Sequence, residues 1–158
     1  MVYGFKHLDT DDYYWLPTNP PFTMTRERGE RIRLFKEDIY RHQKCVISGS
    51  LCGWGDELIS YFDLIIRVVT PTKLRIERLK AREFGRFGQR ILPGGDMYEE
   101  HQKFLAWAAE YDDGDLSVRS KALHDDWLSR INCKQIEIDG MLSREEKVEQ
   151  LKKLLFSN

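Results

Sequence analysis

The sequence predicts an α/β fold with a mainly parallel sheet, in a single domain spanning residues 1–158. Three observations carry this expectation. Short β-prone runs at 2–8, 45–50, 63–70 and 135–139 alternate with stretches whose apolar residues recur at helical spacing. Parallel strands need crossover connections of that length, usually helical. The chain is also long enough to bury one core, and its 41% hydrophobic and 12% aromatic content is that of an ordinary globular protein.

Taken in order, the first run, "VYGFKHL", stops where three carboxylates, Asp9, Asp11 and Asp12, begin. "LPTNPPFT" then puts three prolines into eight residues, which forbids a regular element. From 26 to 43, apolar residues at 32, 34, 35 and 39 share roughly one helical face. The arginines 26, 28, 31 and 33 of this helix face solvent or fringe a substrate domain. "CVISGS" is a compact apolar strand closed by glycine, and "LCGWGDELISYF" is a glycine-rich loop running into a short helix. "DLIIRVVTP" is the strongest strand, ended by Pro71. The helix after it takes Thr72 as N-cap and Gly85 as its stop. "RFGQRILPGGDM" is a loop, 98–111 is helical, and "DDGD" breaks that helix before another begins within "SVRSKALHDDWLSRI". "KQIEIDG" is the last strand. The closing amphipathic helix opens on Ser143 with Glu146 three residues on, a capping box.

Charge and cysteine usage narrow the function classes. The 25 basic and 26 acidic residues leave a formal net charge of −1, which argues against a general nucleic-acid binder. Cys45, Cys52 and Cys133 have no C-x-x-C spacing, so a reducing, cytoplasmic setting is expected. No apolar run approaches the ~20 residues of a membrane span, and the N-terminal residues lack a secretory pattern.

Ligands of open α/β sheets sit beyond the carboxyl ends of the strands. The aspartates, the "SGSLCGWG" loop and the "TPTKLR" turn all fall there, so they are expected on one rim. The aspartates are either a solvated turn or a ligand site, one holding Mg²⁺ through its waters and another a substrate hydroxyl or amine. Gly49 and Trp54 would line the substrate pocket, the indole as a stacking wall. Arg75, Arg78 and Arg82 share one helical side; the first two read as a solvated face pairing with Glu77 and Glu83. Arg82, Arg86 and Arg90 read equally as such a face or as a lid that closes on phosphate, for which a planar guanidinium fork is suited. Arg119 lies beyond that segment. Cys52 has no base assignable from spacing, and His101 and His124 have no third metal ligand, so surface or capping roles are expected for both histidines. Phe104, Trp107, Tyr111 and Trp127 read as core.

"HLDTDDYYW", then "VISGSLCGWGDELISYFDLIIRVVTPTKLRIERLKARE", then "RFGQRILPGGDM" and "FLAWAAEYD" resemble the small bacterial P-loop kinase-like proteins, the adenylate-kinase-like or AAA-family ATPases. The resemblance runs over essentially the whole chain. It implies a three-layer parallel sheet of the nucleoside-kinase type, with strand order 2-3-1-4-5. It implies Mg²⁺-assisted transfer of the ATP γ-phosphate to a small acceptor. Asp9 and Asp11 would then be catalytic, with Asp9 also toward Mg²⁺; Asp12 would touch substrate. Val46 to Gly49 would stand at the Walker B position. Arg82, Arg86, Arg90 and Arg119, in a lid-like insertion at about 84–120, would bind nucleotide phosphates. The family's first strand, phosphate loop and first helix precede the acidic motif, and this sequence holds none of them: it has no Gly-Lys pair at all. An N-terminally truncated kinase-like domain with an open sheet edge is therefore expected. The alternative is a non-catalytic remnant that binds a ligand or partner, or pairs its open edge in a homo-oligomer.

Overall fold

The computed structural model of the protein describes residues 4–156. The chain divides into two compact units, Met1–Tyr61 and Phe62–Asn158, where the sequence predicted a single domain.

The first unit opens with strand β1 (Lys6–Asp9), which runs into the short helix α1 (Thr10–Tyr14). The strand expected over 2–8 thus begins and ends later; its residues 2 and 3 lie outside the described residues. Asp9 ends β1 and caps α1, its carboxylate accepting from the Asp11 N–H at 3.1 Å. Helix α2 (Arg28–Arg41) is capped by Glu27, which accepts from the Glu30 N–H at 2.9 Å. It buries Ile32 and Phe35, two of the four apolar positions that predicted it. Strand β2 (Cys45–Ser48) then pairs parallel with β1, in register from Lys6 opposite Cys45 to Asp9 opposite Ser48. Phe35 is the centre of this unit's core, with Tyr13 at 4.3 Å and Trp54 at 6.2 Å between ring centroids. A 3-10 turn, Asp56–Tyr61, closes the unit and buries Leu58.

The second unit begins with strand β3 (Leu64–Val69) and helix α3 (Thr72–Phe87). Pro71, not Thr72, occupies the N-cap position, and Gly85 does not stop the helix. The stop is Gly88, whose φ of 54° is in the region that favours glycine. The expected loop over 86–97 is a 3-10 turn, Gly88–Ile91, folded back on itself: the Met97 N–H donates to the Arg90 carbonyl at 2.9 Å. Helices α4 (Tyr98–Ala109) and α5 (Lys121–Ser129) follow, the latter capped by the fully buried Ser120. Strand β4 (Lys134–Asp139) pairs parallel with β3, from Leu64 opposite Lys134 to Val69 opposite Asp139. The final helix, α6 (Arg144–Phe156), starts with the reciprocal box expected of it: Ser143 N–H to Glu146 at 2.7 Å and Glu146 N–H to Ser143 Oγ at 3.2 Å.

Three of the four strands occur where the sequence put them and the first is shifted toward Asp9, and they form two separate two-stranded parallel sheets. β3 pairs on one edge only among the described residues. Three of its apolar side chains are exposed as well. Ile66 and Val68 are 41% and 53% exposed, while Ile136 and Ile138, opposite them on β4, are 8% and 1% exposed. β4 turns Lys134, Gln135, Glu137 and Asp139 outward, the composition of an edge strand in water; β3 is written as an interior strand. Val46 of β2 is likewise exposed. Among the described residues no helix is long and apolar enough to cross a membrane.

Candidate functional site

The carboxyl ends of β1 and β2 bring Asp9 and Gly49 together. Gly49 has φ 109°, and a Cβ there would lie 1.8 Å from the Thr10 hydroxyl. Thr10 is buried, so the glycine is what lets the start of α1 sit down on the end of β2. Asp11 and Asp12 are exposed on α1. Asp12 borders a cleft of about 370 Å³ with Lys6, His7, Tyr13, Asp38 and Arg41. The Tyr13 hydroxyl donates to Asp38 at 2.7 Å; burial, then the neighbouring Asp38 carboxylate, push its pKa up. No group of three or more His, Cys, Asp or Glu side chains stands close enough to hold a metal among the described residues.

Trp54 is not an exposed stacking wall. It is 5% exposed, its indole N–H donates to the Ser50 carbonyl at 3.1 Å, and it belongs to the core with Phe35. Against it lies a residue that the sequence placed toward solvent. Arg31 is 9% exposed, with its guanidinium 3.9 Å from the centre of the Tyr14 ring and 5.9 Å from that of Trp54. Its Nε donates to the Arg26 carbonyl at 2.6 Å. Arg26 and Arg28 point the same way, donating to the carbonyls of Tyr13 and Trp54. The aromatic pair comes from two other elements, α1 and the loop after β2, which is why the burial cannot be read from the helix alone.

In the second unit three of the arginines expected of a lid, Arg82, Arg86 and Arg90, each hold a carboxylate. Arg82 donates to the buried Glu83 at 2.9 Å, and Arg86 is 3.9 Å from the same group. Arg90 grips Asp96 with two nitrogens, at 2.6 to 3.2 Å, and holds that carboxyl below its usual range. Arg119 stacks over Trp107 at 5.2 Å. Arg75 and Arg78, expected in solvent, brace the carboxyl ends of the strands instead. Arg75 donates to the Thr70 carbonyl at 3.0 Å and to Asp112 at 3.1 Å, and stacks over Tyr111; Arg78 donates to the Gly140 carbonyl at 2.7 Å. The Thr72 hydroxyl also reaches Asp112 and, with Arg75, lowers its pKa. The aspartates and Gly49 therefore belong to one unit, and Arg82, Arg86, Arg90 and Arg119 to the other.

The uncharacterized protein YqaC of Bacillus subtilis strain 168 is 44% identical over 152 residues, covering 96% of this chain and 84% of the relative. The chain belongs to the YqaC family. No family model and no solved structure matches it. Most of the YqaC relative is thus spanned, and part of it lies outside the match.

Two histidines of this YqaC-family chain depart from the surface or capping roles expected of them. His101 is buried in α4. His124 of α5 meets the Tyr111 hydroxyl at 2.8 Å, with Arg67, Arg119 and Asp125 as its charged neighbours. Burial, then the two arginines, lower its pKa from the ordinary value of about 6.5. A histidine held neutral in the fold contributes stability above its unfolded pKa, and that contribution is lost as pH falls through the folded one. The second unit is therefore expected to lose stability below about pH 6.5. Urea midpoints of the wild type and His124→Gln, measured at roughly pH 5 and 7, check this: the variant should show the smaller difference.

Proposed function

We propose that this chain is the acceptor-side and lid-bearing part of a P-loop kinase-like phosphotransferase, a cytoplasmic enzyme class whose reaction moves the ATP γ-phosphate to a small acceptor. The pairing of the strands carries the proposal. β1 with β2 and β3 with β4, both parallel and with β3 uncovered on its other side, are what strand order 2-3-1-4-5 leaves when its first strand is taken away. In that numbering the present four strands are 2, 3, 4 and 5. Asp9 at the end of β1 and Gly49 at the end of β2 support an acceptor rim there.

These residues do not by themselves fit a triphosphate. The described residues offer no lysine-bearing phosphate loop, and Arg82, Arg86 and Arg90 already hold Glu83 and Asp96. Phosphoryl transfer depends on electrostatic stabilisation that such a loop normally supplies. Accordingly, the 158 residues alone should show no Mg-ATP binding by calorimetry at ATP concentrations up to about 1 mM. Joined to the part of YqaC outside the match, they should bind Mg-ATP in the micromolar range and hydrolyse it slowly. A joined chain that binds no better than this one would defeat the proposal.

The second reading, a non-catalytic binding protein, is favoured by the uncovered apolar face of β3. It predicts that the joined chain remains silent toward ATP while the 158 residues self-associate on light scattering.

A further inference from the structure

A guanidinium is costly to take out of water unless something anionic answers it. Arg31 is nine-tenths buried. Among the described residues it has no ion pair, and its terminal nitrogens carry no protein hydrogen bond but are not sealed off, so they still reach solvent; only Nε is used, on the Arg26 carbonyl. Glu27 feels its charge, but that carboxylate caps α2 through the Glu30 N–H and stays outside ion-pair distance. The Tyr14 ring, 3.9 Å from the guanidinium, offsets part of the desolvation and confines the fork, with Trp54 farther off at 5.9 Å. A fork so confined presents two parallel N–H donors, the geometry that matches one carboxylate or phosphate group.

The place is informative as well. Tyr14 stands on the helix that Asp9 caps, and Trp54 closes the loop that begins at Gly49. An anion on Arg31 would therefore be held toward the carboxyl ends of β1 and β2, with the Tyr14 ring against the guanidinium.

We propose that Arg31, beside Tyr14 and Trp54, is the anchor for the anionic group of a small ligand, a carboxylate or a phosphate ester. This deepens the phosphotransferase reading by giving the acceptor's chemical class, and rests on that reading only for the word acceptor. The binding itself needs no nucleotide, so it is tested separately.

Inorganic phosphate and acetate serve as probes on the wild-type chain, with Arg31→Met and Arg31→Lys beside it. In ¹H–¹⁵N spectra, saturating phosphate should move the indole signal of Trp54, identified by its loss in Trp54→Phe, and leave those of Trp107 and Trp127 in place. Arg31→Met should weaken the apparent affinity at least about tenfold, the loss expected of a charge-assisted contact. Arg31→Lys, which keeps the charge but not the fork, should fall between. If acetate competes with phosphate, the shared oxyanion chemistry is established; if only phosphate acts, the ligand is a phosphate ester. A Trp54 signal indifferent to both probes, or a phosphate response undiminished in Arg31→Met, overturns the proposal. Should Arg31→Met not fold, Arg31→Lys and the wild-type titration decide alone. Failure here with Mg-ATP binding intact in the joined chain removes the anion anchor and leaves the phosphotransferase reading standing.

Discussion

Gly49→Ala will destabilise the first unit by about 3 kcal/mol, through backbone strain of ~1–2 kcal/mol and overpacking of ~1–3 kcal/mol. Both causes are visible at one atom. At φ 109° an L-residue is strained whatever the space around it, and the new methyl would stand 1.8 Å from the Thr10 hydroxyl and 3.0 Å from the Thr10 Cβ. Thr10 is buried at the first position of α1 and cannot swing into solvent without moving the helix that Asp9 caps. The two contributions can be separated. Thr10→Ala removes the hydroxyl and methyl but not the φ strain, so in the double variant it should recover roughly 1–2 kcal/mol, a coupling typical of residues in direct contact. Hydrogen exchange of the β1 and β2 amides reports this unit alone. If Gly49→Ala exchanges like the wild type, the close approach of α1 to β2 is wrong.

Arg75→Ala should cost the second unit about 1.5–3 kcal/mol, the range for losing hydrogen bonds to a charged group, because its partner Asp112 is 40% exposed. The side chain is 22% exposed, and it ties together three segments: the Thr70 carbonyl at the end of β3, Thr72 at the start of α3, and Asp112 after α4. Removing it also uncovers the Tyr111 ring and leaves Asp112 with the Thr72 hydroxyl. Arg82→Ala and Arg86→Ala should be mild by comparison, because either one leaves Glu83 a second arginine. Denaturant midpoints rank the three variants. A rank order with Arg82 first would reverse the assignment of bracing and lid roles.

That contrast shows where the sequence was legible. Strands came through because their apolar runs are short, β-branched and bounded by glycine or proline, and the box at Ser143 came through because both partners lie within one turn. Helix periodicity gave α2 and α3 to within about two residues. What stayed hidden depends on partners far along the chain. Arg75 looked like one more charge on a polar face until Asp112, 37 residues away, was brought beside it. Arg31 shares its helix with Arg28 and Arg33, which are exposed, and only Tyr14 and Trp54 beside it set it apart. Trp54 was read as a wall of a substrate pocket from its glycine-rich loop, yet Gly55 allows a turn tight enough to tuck the indole into the core, a Cβ there meeting Leu51 at 2.7 Å. Likewise Thr72 was the natural cap by residue type, but Pro71 occupies that position and the threonine hydroxyl is drawn to Asp112.

The bare margin of β3 has a practical side. Ile66, Val68 and Val69 present branched hydrocarbon to water beside backbone groups that no neighbouring strand among the described residues answers. Solutes that are excluded from protein surfaces, sulfate above all, strengthen the tendency of such a seam to find company, whereas mild chaotropes relieve it. Purification by salting-out therefore works against this molecule, and dilute buffers of low sulfate content suit it better.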